Sequence, residues 1–157
     1  MSETDQGSTK PDFDDPKDKL VLLVDDDESI LDLLEFVVKK EGFKVERAVD
    51  GQEALRKAEA LHPDAIILDF MLPGLGGFEV LKSLQMGDCR GIPVFVITGR
   101  RIDRQTIEMV RQESNVREFM EKPIKPAVLS AMLHRLLHTR PPELRPGSDL
   151  GPISRNY

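Results

Sequence analysis

Three continuous apolar runs lie along the chain, and each one ends abruptly at a polar residue. The runs are residues 20–24, 65–68 and 93–97. Apolar runs of this length are typical of strands that are buried on both faces of a sheet. The residues that follow them are Asp25, Asp69 and Thr98, respectively. A further short strand is predicted to begin at Phe43, and a weaker one covers residues 118–121.

Apolar residues recur at helical spacing between these runs. The predicted helices lie near residues 29–40, 50–61, 78–84, 103–113 and 126–137. Asp50 and Glu53 have the spacing of a capping box, which favours a helix start there, and His62-Pro63 ends that helix. Asp27 and Glu28 are predicted to begin the first helix, where the helix dipole favours acidic residues.

The alternation of strand and helix predicts an α/β fold, with a doubly wound parallel sheet covered by helices on both faces. In such a sheet, the carboxyl ends of the strands meet at one edge, where functional crevices form. The polar residues expected at that edge are Asp25, Asp26, Asp69, Thr98 and Lys122.

Composition places the chain among ordinary globular proteins. It has 157 residues, of which 39% are hydrophobic and 32% are charged, and this length suits one folded domain. No apolar run could span a membrane, and the single cysteine, Cys89, excludes an intrachain disulfide. We therefore expect a cytoplasmic protein without membrane insertion. The net charge of −6 also argues against direct nucleic-acid binding.

Both ends of the chain differ from the centre in composition. Residues 1–18 contain six acidic residues and two basic ones, and residues 140–157 contain several prolines. Neither segment has enough apolar residues to offset the entropy of ordering, so both are predicted to be disordered. The compact domain is then expected to span residues 19–139, with no output domain after it.

The residues at the predicted sheet edge indicate phosphoryl transfer. Three carboxylates held about 5 Å apart repel each other by roughly 3 kcal/mol per pair at an effective dielectric constant of about 20. Lys122 can relieve part of this repulsion, and Mg²⁺ with oxygen ligands can relieve more. The Thr98 hydroxyl can donate to an oxyanion, so the set contains a carboxylate nucleophile, a metal site and two donors.

The same residues resemble a response-regulator receiver domain of bacterial two-component signalling. The resemblance covers about residues 19–137. The motifs that carry it are Val24-Asp25-Asp26, Leu68-Asp69 followed by Pro73 and Gly77, Ile97-Thr98-Gly99, and Lys122-Pro123. It implies a flavodoxin-like, CheY-like fold with the strand order 2-1-3-4-5.

The resemblance also implies a role for each residue. Asp69 would accept the phosphoryl group, and Asp25, Asp26 and Asp69 would hold Mg²⁺ together with the backbone carbonyl of Met71. Lys122 would pair with the phosphoryl oxygens, and Thr98 would hydrogen-bond to one of them. Phe119 would be an aromatic switch that turns inward when Thr98 moves. The Lys122–Pro123 peptide bond is expected to be cis.

The partners implied are a sensor histidine kinase or a histidine phosphotransfer protein, and an unidentified downstream protein. The domain would catalyse only its own phosphorylation and dephosphorylation. One alternative is a degenerate receiver that acts as a constitutive binding module. Another is a haloacid-dehalogenase-type phosphatase, because residues 25–29 loosely match its D-x-D start. That family also needs an acidic pair after its lysine, and none follows Lys122.

Other residues are interpreted as structural. The three histidines, His62, His134 and His138, are expected on the surface or on helix faces, and Cys89 is expected in a loop. Arg100, Arg101 and Arg104 form a solvated basic cluster or a docking surface for an acidic partner. Residues 112–116 lack the small Gly-Ala pair of the family, so the loop after the fourth helix is expected to differ from it.

Overall fold

The computed structural model describes residues 12–99 and 102–142. Its strands are β1 Leu20–Val24, β2 Lys44–Ala48, β3 Ala65–Asp69, β4 Val94–Thr98 and β5 Val116–Glu121. Its helices are α1 Glu28–Lys40, α2 Gly51–Leu61, α3 Gly77–Leu84, α4 Arg104–Arg111 and α5 Pro126–Leu137. The strands are parallel in the order β2-β1-β3-β4-β5. The predicted α/β fold and its strand order are confirmed.

The sheet has a helical layer on each face, and side-chain alternation along the strands divides the core accordingly. Leu22 and Val24 on β1 face α2, α3 and α4, whereas Val21 and Leu23 face α1 and α5. Every residue of β3 and β4 is buried, which explains why their sequences are continuous apolar runs.

Aspartate side chains cap the N-termini of three of the α-helices. Asp27, Asp50 and Asp103 cap α1, α2 and α4, respectively, by accepting a hydrogen bond from a backbone N–H of the first turn. One half of the predicted capping box is present, since Glu53 N donates to Asp50 (2.8 Å). The Glu53 carboxylate accepts from Val49 N (2.8 Å), one residue before the cap, and not from Asp50 N as in a regular capping box. The helix starts predicted at residues 27–28 and 50 therefore agree with the structure.

A polar network holds the connection from α4 to β5. Asn115 is buried, and its side chain donates to Leu81 O (3.2 Å) and accepts from the Gln85 amide (2.8 Å). Gln85 also donates to Glu113 (2.9 Å), and Asn115 O accepts from Val94 N (2.8 Å). This network ties the loop to α3, and its side-chain partners could not be identified from spacing alone.

The strand β5 begins two residues earlier than predicted, and α4 ends two residues earlier. Val94 pairs with Val116 but Phe95 pairs with Glu118, so Arg117 is an extra residue at a bulge. The bulge interrupts the regular alternation in this strand, which is why the sequence pattern there is weak.

The structure also differs from the expected boundary at residue 19. Residues 12–18 lie against the domain, because Asp14 forms a parallel bridge with Thr139 and its backbone N–H donates to His138 O (2.9 Å). The Phe13 ring lies 5.0 Å from the His138 ring and 4.6 Å from the Arg140 guanidinium. One aromatic side chain thus anchors a segment whose acidic composition predicted disorder. Residues 1–11 and 143–157 lie outside the described residues.

One expectation about a single residue is wrong, because Cys89 lies in a short helix and not in a loop. His134 lies on α5, within the expected choice of surface or helix face, but it is buried, with one ring nitrogen 2.7 Å from Thr139 Oγ1 and the other 2.7 Å from Glu41 Oε1. Cys89 is buried in a short 3-10 helix, and burial raises the pKa of its thiol. His62 and His138 end α2 and α5 with positive φ, a role the sequence indicated only for His62.

Among the described residues, no helix has the length and apolar character that crossing a bilayer requires.

The close contact of Gly77 with the backbone after β3 generates a stability prediction. A Cβ at Gly77 would lie 2.7 Å from the Cα and the carbonyl oxygen of Phe70, whereas a Cβ at Gly87 would meet no atom within 4 Å. We expect Gly77→Ala to lower the free energy of unfolding by about 1–3 kcal/mol because the backbone must shift. Urea unfolding measures the change, with Gly87→Ala as the matched control, expected within about 0.5 kcal/mol of the wild type. Equal stability of the two variants would contradict the packing described for Gly77.

Candidate functional site

Two buried carboxylates lie side by side at the carboxyl edge of the sheet. Asp25 follows β1 directly and Asp69 is the last residue of β3, and β1 and β3 are neighbours that pair Val24 with Leu68. The two aspartates are only 1% and 4% exposed, respectively. The strand register therefore places two carboxylates next to each other in a buried region. Burying two negative charges is energetically unfavourable unless a positively charged group lies beside them.

Lys122 supplies that partner from the other side of the sheet edge. Its backbone N–H donates to Thr98 O (2.7 Å), which extends the β4–β5 pairing by one residue and fixes the position of the lysine. The Lys122 ammonium lies 3.4 Å from Asp25 Oδ2 and 3.5 Å from Asp69 Oδ2. A single cation thus lies between the two acids.

The remaining oxygen of each buried carboxylate accepts a backbone N–H. Asp25 Oδ1 accepts from Asp27 N (2.9 Å), and Asp69 Oδ1 accepts from Met71 N (3.1 Å). Each aspartate consequently has one oxygen held by its own loop and one facing Lys122. The loop after each strand thereby fixes the orientation of the acid that precedes it.

Burial and the neighbouring charges act in opposite directions on these groups. Burial raises the pKa of the Asp25 carboxyl, an effect that the hydrogen bond from Asp27 N and the charge of Lys122 reduce and the charge of Asp69 increases. Burial lowers the pKa of Lys122, but the charges of Asp69 and Asp25 outweigh it, so the net shift is upward. Lys122 therefore keeps its positive charge at neutral pH.

Asp26 completes an acidic cluster that fits a divalent cation. Its side chain is exposed, and one oxygen each of Asp25, Asp26 and Asp69 lie within 4.8 Å of one another. Among the described residues, three carboxylates face one ammonium, which leaves an excess of negative charge, and hard oxygen ligands of this kind suit Mg²⁺. The sequence-predicted set of Asp25, Asp26, Asp69 and Lys122 is brought together at this edge.

Thr98 ends β4 at the same edge and is fully buried. Its hydroxyl lies 3.4 Å from Gly99 O, which is long for an O–H···O hydrogen bond. The hydroxyl is therefore only weakly engaged and can donate to another acceptor. Among the described residues, a Cβ at Gly99 would meet no atom within 4 Å.

Met71 and Phe119 lie at the periphery of the site. Met71 contributes its backbone N–H to Asp69, while its side chain is 57% exposed. Phe119 is half-buried on β5, where it pairs with Val96 two residues before Thr98. Phe119 is thus separated from the acidic cluster and faces the layer that contains α4.

Arg111 also lies in this region, although nothing in the sequence pattern singles it out. The guanidinium of Arg111 lies over the Phe119 ring, 4.9 Å from its centroid. No sequence motif indicates this contact. The number of residues between a helix position and the position that it contacts on the following strand is not fixed. Of the predicted basic cluster, Arg104 begins α4, and Arg100 and Arg101 lie outside the described residues. The Lys122–Pro123 peptide bond is cis, as expected.

Comparison with known proteins identifies one family. The family model described as "Response regulator receiver domain" matches residues 21–134. The chain is 38% identical over 119 residues to the alkaline phosphatase synthesis transcriptional regulatory protein PhoP of Bacillus subtilis, a match that covers 76% of this chain and 48% of PhoP. It is 35% identical over 118 residues to the DNA-binding response regulator MtrA of Mycobacterium tuberculosis H37Rv, covering 74% and 50%. The chain spans about half the length of the curated relatives it matches.

Solved structures have the same fold. The chemotaxis response regulator CheY4 of Vibrio cholerae is 30% identical with a TM-score of 0.69, and the match covers 76% of this chain and 98% of CheY4. The receiver domain of the sensor histidine kinase PA1611 of Pseudomonas aeruginosa PAO1 is 26% identical with a TM-score of 0.68, covering 76% and 97%. That receiver domain has a magnesium ion coordinated in its active-site cleft.

The excess negative charge of the cluster is expected to lower the thermal stability of the protein when no metal ion is bound. Asp26→Asn removes one of three mutually repelling carboxylates whose oxygens lie within 4.8 Å. We expect the Tm in EDTA at low salt to rise by about 1–4 °C, and less at high salt because exposed charges are screened. Asp88→Asn, an exposed acid outside the cluster, is the control and is expected to leave the Tm nearly unchanged. A lower Tm for Asp26→Asn would show that the cluster is not repulsive.

Proposed function

Because this chain belongs to the response regulator receiver domain family of two-component signal transduction, we propose that it accepts a phosphoryl group on Asp69. Receiver domains of this family are not metabolic enzymes, and we propose that this one catalyses only its own phosphorylation and dephosphorylation. The observation that carries the proposal is the position of the Lys122 ammonium, 3.5 Å from Asp69 Oδ2 and 3.4 Å from Asp25 Oδ2.

The acidic cluster also supports a magnesium requirement. Receiver domains bind Mg²⁺, and we propose that here Asp25, Asp26 and Asp69 hold it, together with the backbone carbonyl of Met71. When bound, the ion neutralises charge on phosphoryl oxygens and lowers the barrier to in-line transfer. The excess of carboxylates over ammonium groups in the cluster is the reason to expect the ion.

The proposed transfer forms one bond and breaks one. A carboxylate oxygen of Asp69 attacks the phosphorus of a phosphohistidine, the N–P bond breaks, and its electron pair stays on the imidazole nitrogen, which takes up a proton. The ammonium of Lys122 pairs with a phosphoryl oxygen in place of Asp69 Oδ2, and the weakly engaged hydroxyl of Thr98 donates to another. In the separate dephosphorylation step, water attacks the phosphorus and the aspartyl O–P bond breaks. Its electron pair returns to the Asp69 carboxylate, and inorganic phosphate leaves with the protons of the water molecule.

Receiver domains interact with histidine kinases, so the proposed donor is a sensor histidine kinase or a histidine phosphotransfer protein. The relatives PhoP and MtrA are named as a transcriptional regulatory protein and a DNA-binding response regulator, respectively. For the receiver region itself, we propose a downstream protein partner and no direct contact with nucleic acid.

The proposed output route begins at the hydroxyl of Thr98. An aspartyl phosphate would draw this hydroxyl toward its oxygens and vacate space for the Phe119 ring. Thr98 and Phe119 belong to neighbouring strands and lie on the same face of the sheet. The two side chains would therefore shift a two-state equilibrium at the surface formed by α4, β5 and α5.

The acceptor assignment predicts the behaviour of one substitution. We expect Asp69→Asn to abolish the uptake of acid-labile phosphate from radiolabelled acetyl phosphate with Mg²⁺, because the amide is not a nucleophile. Asp88→Asn, a distant exposed acid, is expected to label like the wild type. Undiminished labelling of Asp69→Asn would overturn the assignment.

Two further measurements on the wild type separate the alternative functions. Turnover of p-nitrophenyl phosphate would favour a haloacid-dehalogenase-type phosphatase. Absence of a Mg²⁺-dependent change in the amide signals of Thr98 and Phe119 on beryllofluoride addition would favour an inert binding module. We expect no turnover and a clear change in both amide signals.

The magnesium assignment predicts a thermal shift. We expect 10 mM Mg²⁺, about 10 times an assumed Kd of about 1 mM, to raise the wild-type Tm by several degrees, because a ligand that binds only the folded state stabilises it. In Asp26→Asn this rise is expected to be largely lost, because one of three carboxylate ligands is gone. Differential scanning calorimetry with Mg²⁺ and with EDTA measures both. An equal rise in the variant and the wild type would place the ion elsewhere.

A further inference from the structure

The contact between Arg111 and Phe119 is not explained by the phosphoryl-transfer site. Arg111 is exposed on the last turn of α4, and its guanidinium lies 4.9 Å from the centroid of the half-buried Phe119 ring. Among the described residues, this ring is the partner that the structure gives the guanidinium. A cation at this distance from an aromatic face is attracted by the ring quadrupole.

Arg111 and Thr98 differ in their distance from the site and in their exposure to solvent. The helix begins at Arg104, soon after the carboxyl end of β4, and ends at Arg111, shortly before β5 begins. Arg111 is therefore at the end of α4 that is remote from the site, whereas Thr98 is at the site edge. Arg111 is exposed, the Phe119 ring is half-buried and Thr98 is fully buried, so a ring that moves inward toward Thr98 moves away from a guanidinium at the surface.

We propose that Arg111 is a positioning residue that holds the Phe119 ring away from Thr98 and so opposes activation. This inference rests on the proposed function, because it assigns a regulator to the same switch. Movement of the ring toward Thr98 takes it away from the guanidinium and loses the contact. The contact thus stabilises one of the two states selectively, which is the condition for shifting their equilibrium.

The size of the effect follows from the strength of the contact. An exposed cation–π interaction corresponds to a factor of about two to five in an equilibrium constant. Loss of the guanidinium is expected to raise the population of the active arrangement by that factor. By linkage, any ligand that binds the active arrangement preferentially is then expected to bind more tightly, by up to the same factor.

The test is a beryllofluoride titration of the full chain with saturating Mg²⁺, followed through the amide signals of Thr98 and Phe119. We expect Arg111→Met, which keeps an apolar stem but lacks the charge, to bind beryllofluoride about two- to fivefold more tightly than the wild type. Arg111→Lys keeps a cation and is expected to restore affinity toward the wild-type value.

Arg135→Met is the matched control. Arg135 is also an exposed arginine beside β5, but its guanidinium lies 3.1 Å from Glu118 and contacts the strand through that acid. We expect this variant to bind beryllofluoride like the wild type. A gain as large as that of Arg111→Met would attribute the effect to net charge and overturn the proposal.

A double-mutant cycle identifies the ring as the group through which Arg111 acts. In a Phe119→Leu background, Arg111→Met is expected to change the affinity by less than 1.5-fold, because no aromatic face remains. A gain of the same size as in the wild-type background would overturn the proposal, as would equal affinities of Arg111→Met and the wild type. If the wild type itself binds no beryllofluoride, the proposed function fails and this inference fails with it.

Discussion

The position of one ammonium group between two buried carboxylates is the constraint on which this site depends. Asp25 and Asp69 are placed side by side by the pairing of β1 with β3, and neither is accessible enough for water to solvate it fully. Lys122 is the cation that the structure places within 4 Å of both. A folded domain that keeps this arrangement holds an acid beside a cation at the edge of a rigid sheet, which is the preorganisation that the proposed phosphoryl transfer requires.

The apolar strands make this arrangement possible. Because β3 and β4 are buried along their whole length, their register against each other and against β1 is fixed by packing on both faces. Asp69 and Thr98 are the last residues of β3 and β4, so the same packing fixes their positions at the sheet edge. Asp25 and Lys122 directly follow β1 and β5, and the loops after β1 and β3 supply a backbone N–H group to each buried acid. The chemistry is therefore concentrated at the strand ends.

Sequence patterns predicted the parts of the molecule that obey simple periodicity. The runs of β1, β3 and β4 and the strand-end residues Asp25, Asp69 and Thr98 belong to this group, because buried parallel strands have a distinctive composition. The pattern failed where tertiary contacts override composition. Phe13 anchors an acidic segment, His134 is buried between Thr139 and Glu41, and Arg111 contacts Phe119, and none of these contacts has a fixed sequence spacing.

The most direct test of the account is to locate the modified residue after phosphorylation. Borohydride reduction converts an aspartyl phosphate to homoserine, and peptide mass spectrometry identifies the position of the homoserine. After incubation with acetyl phosphate and Mg²⁺, the account predicts homoserine at position 69 and at no other aspartate. Reduction at Asp25, at Asp26 or at a distant acid, or a phosphate carried on a histidine, would contradict it.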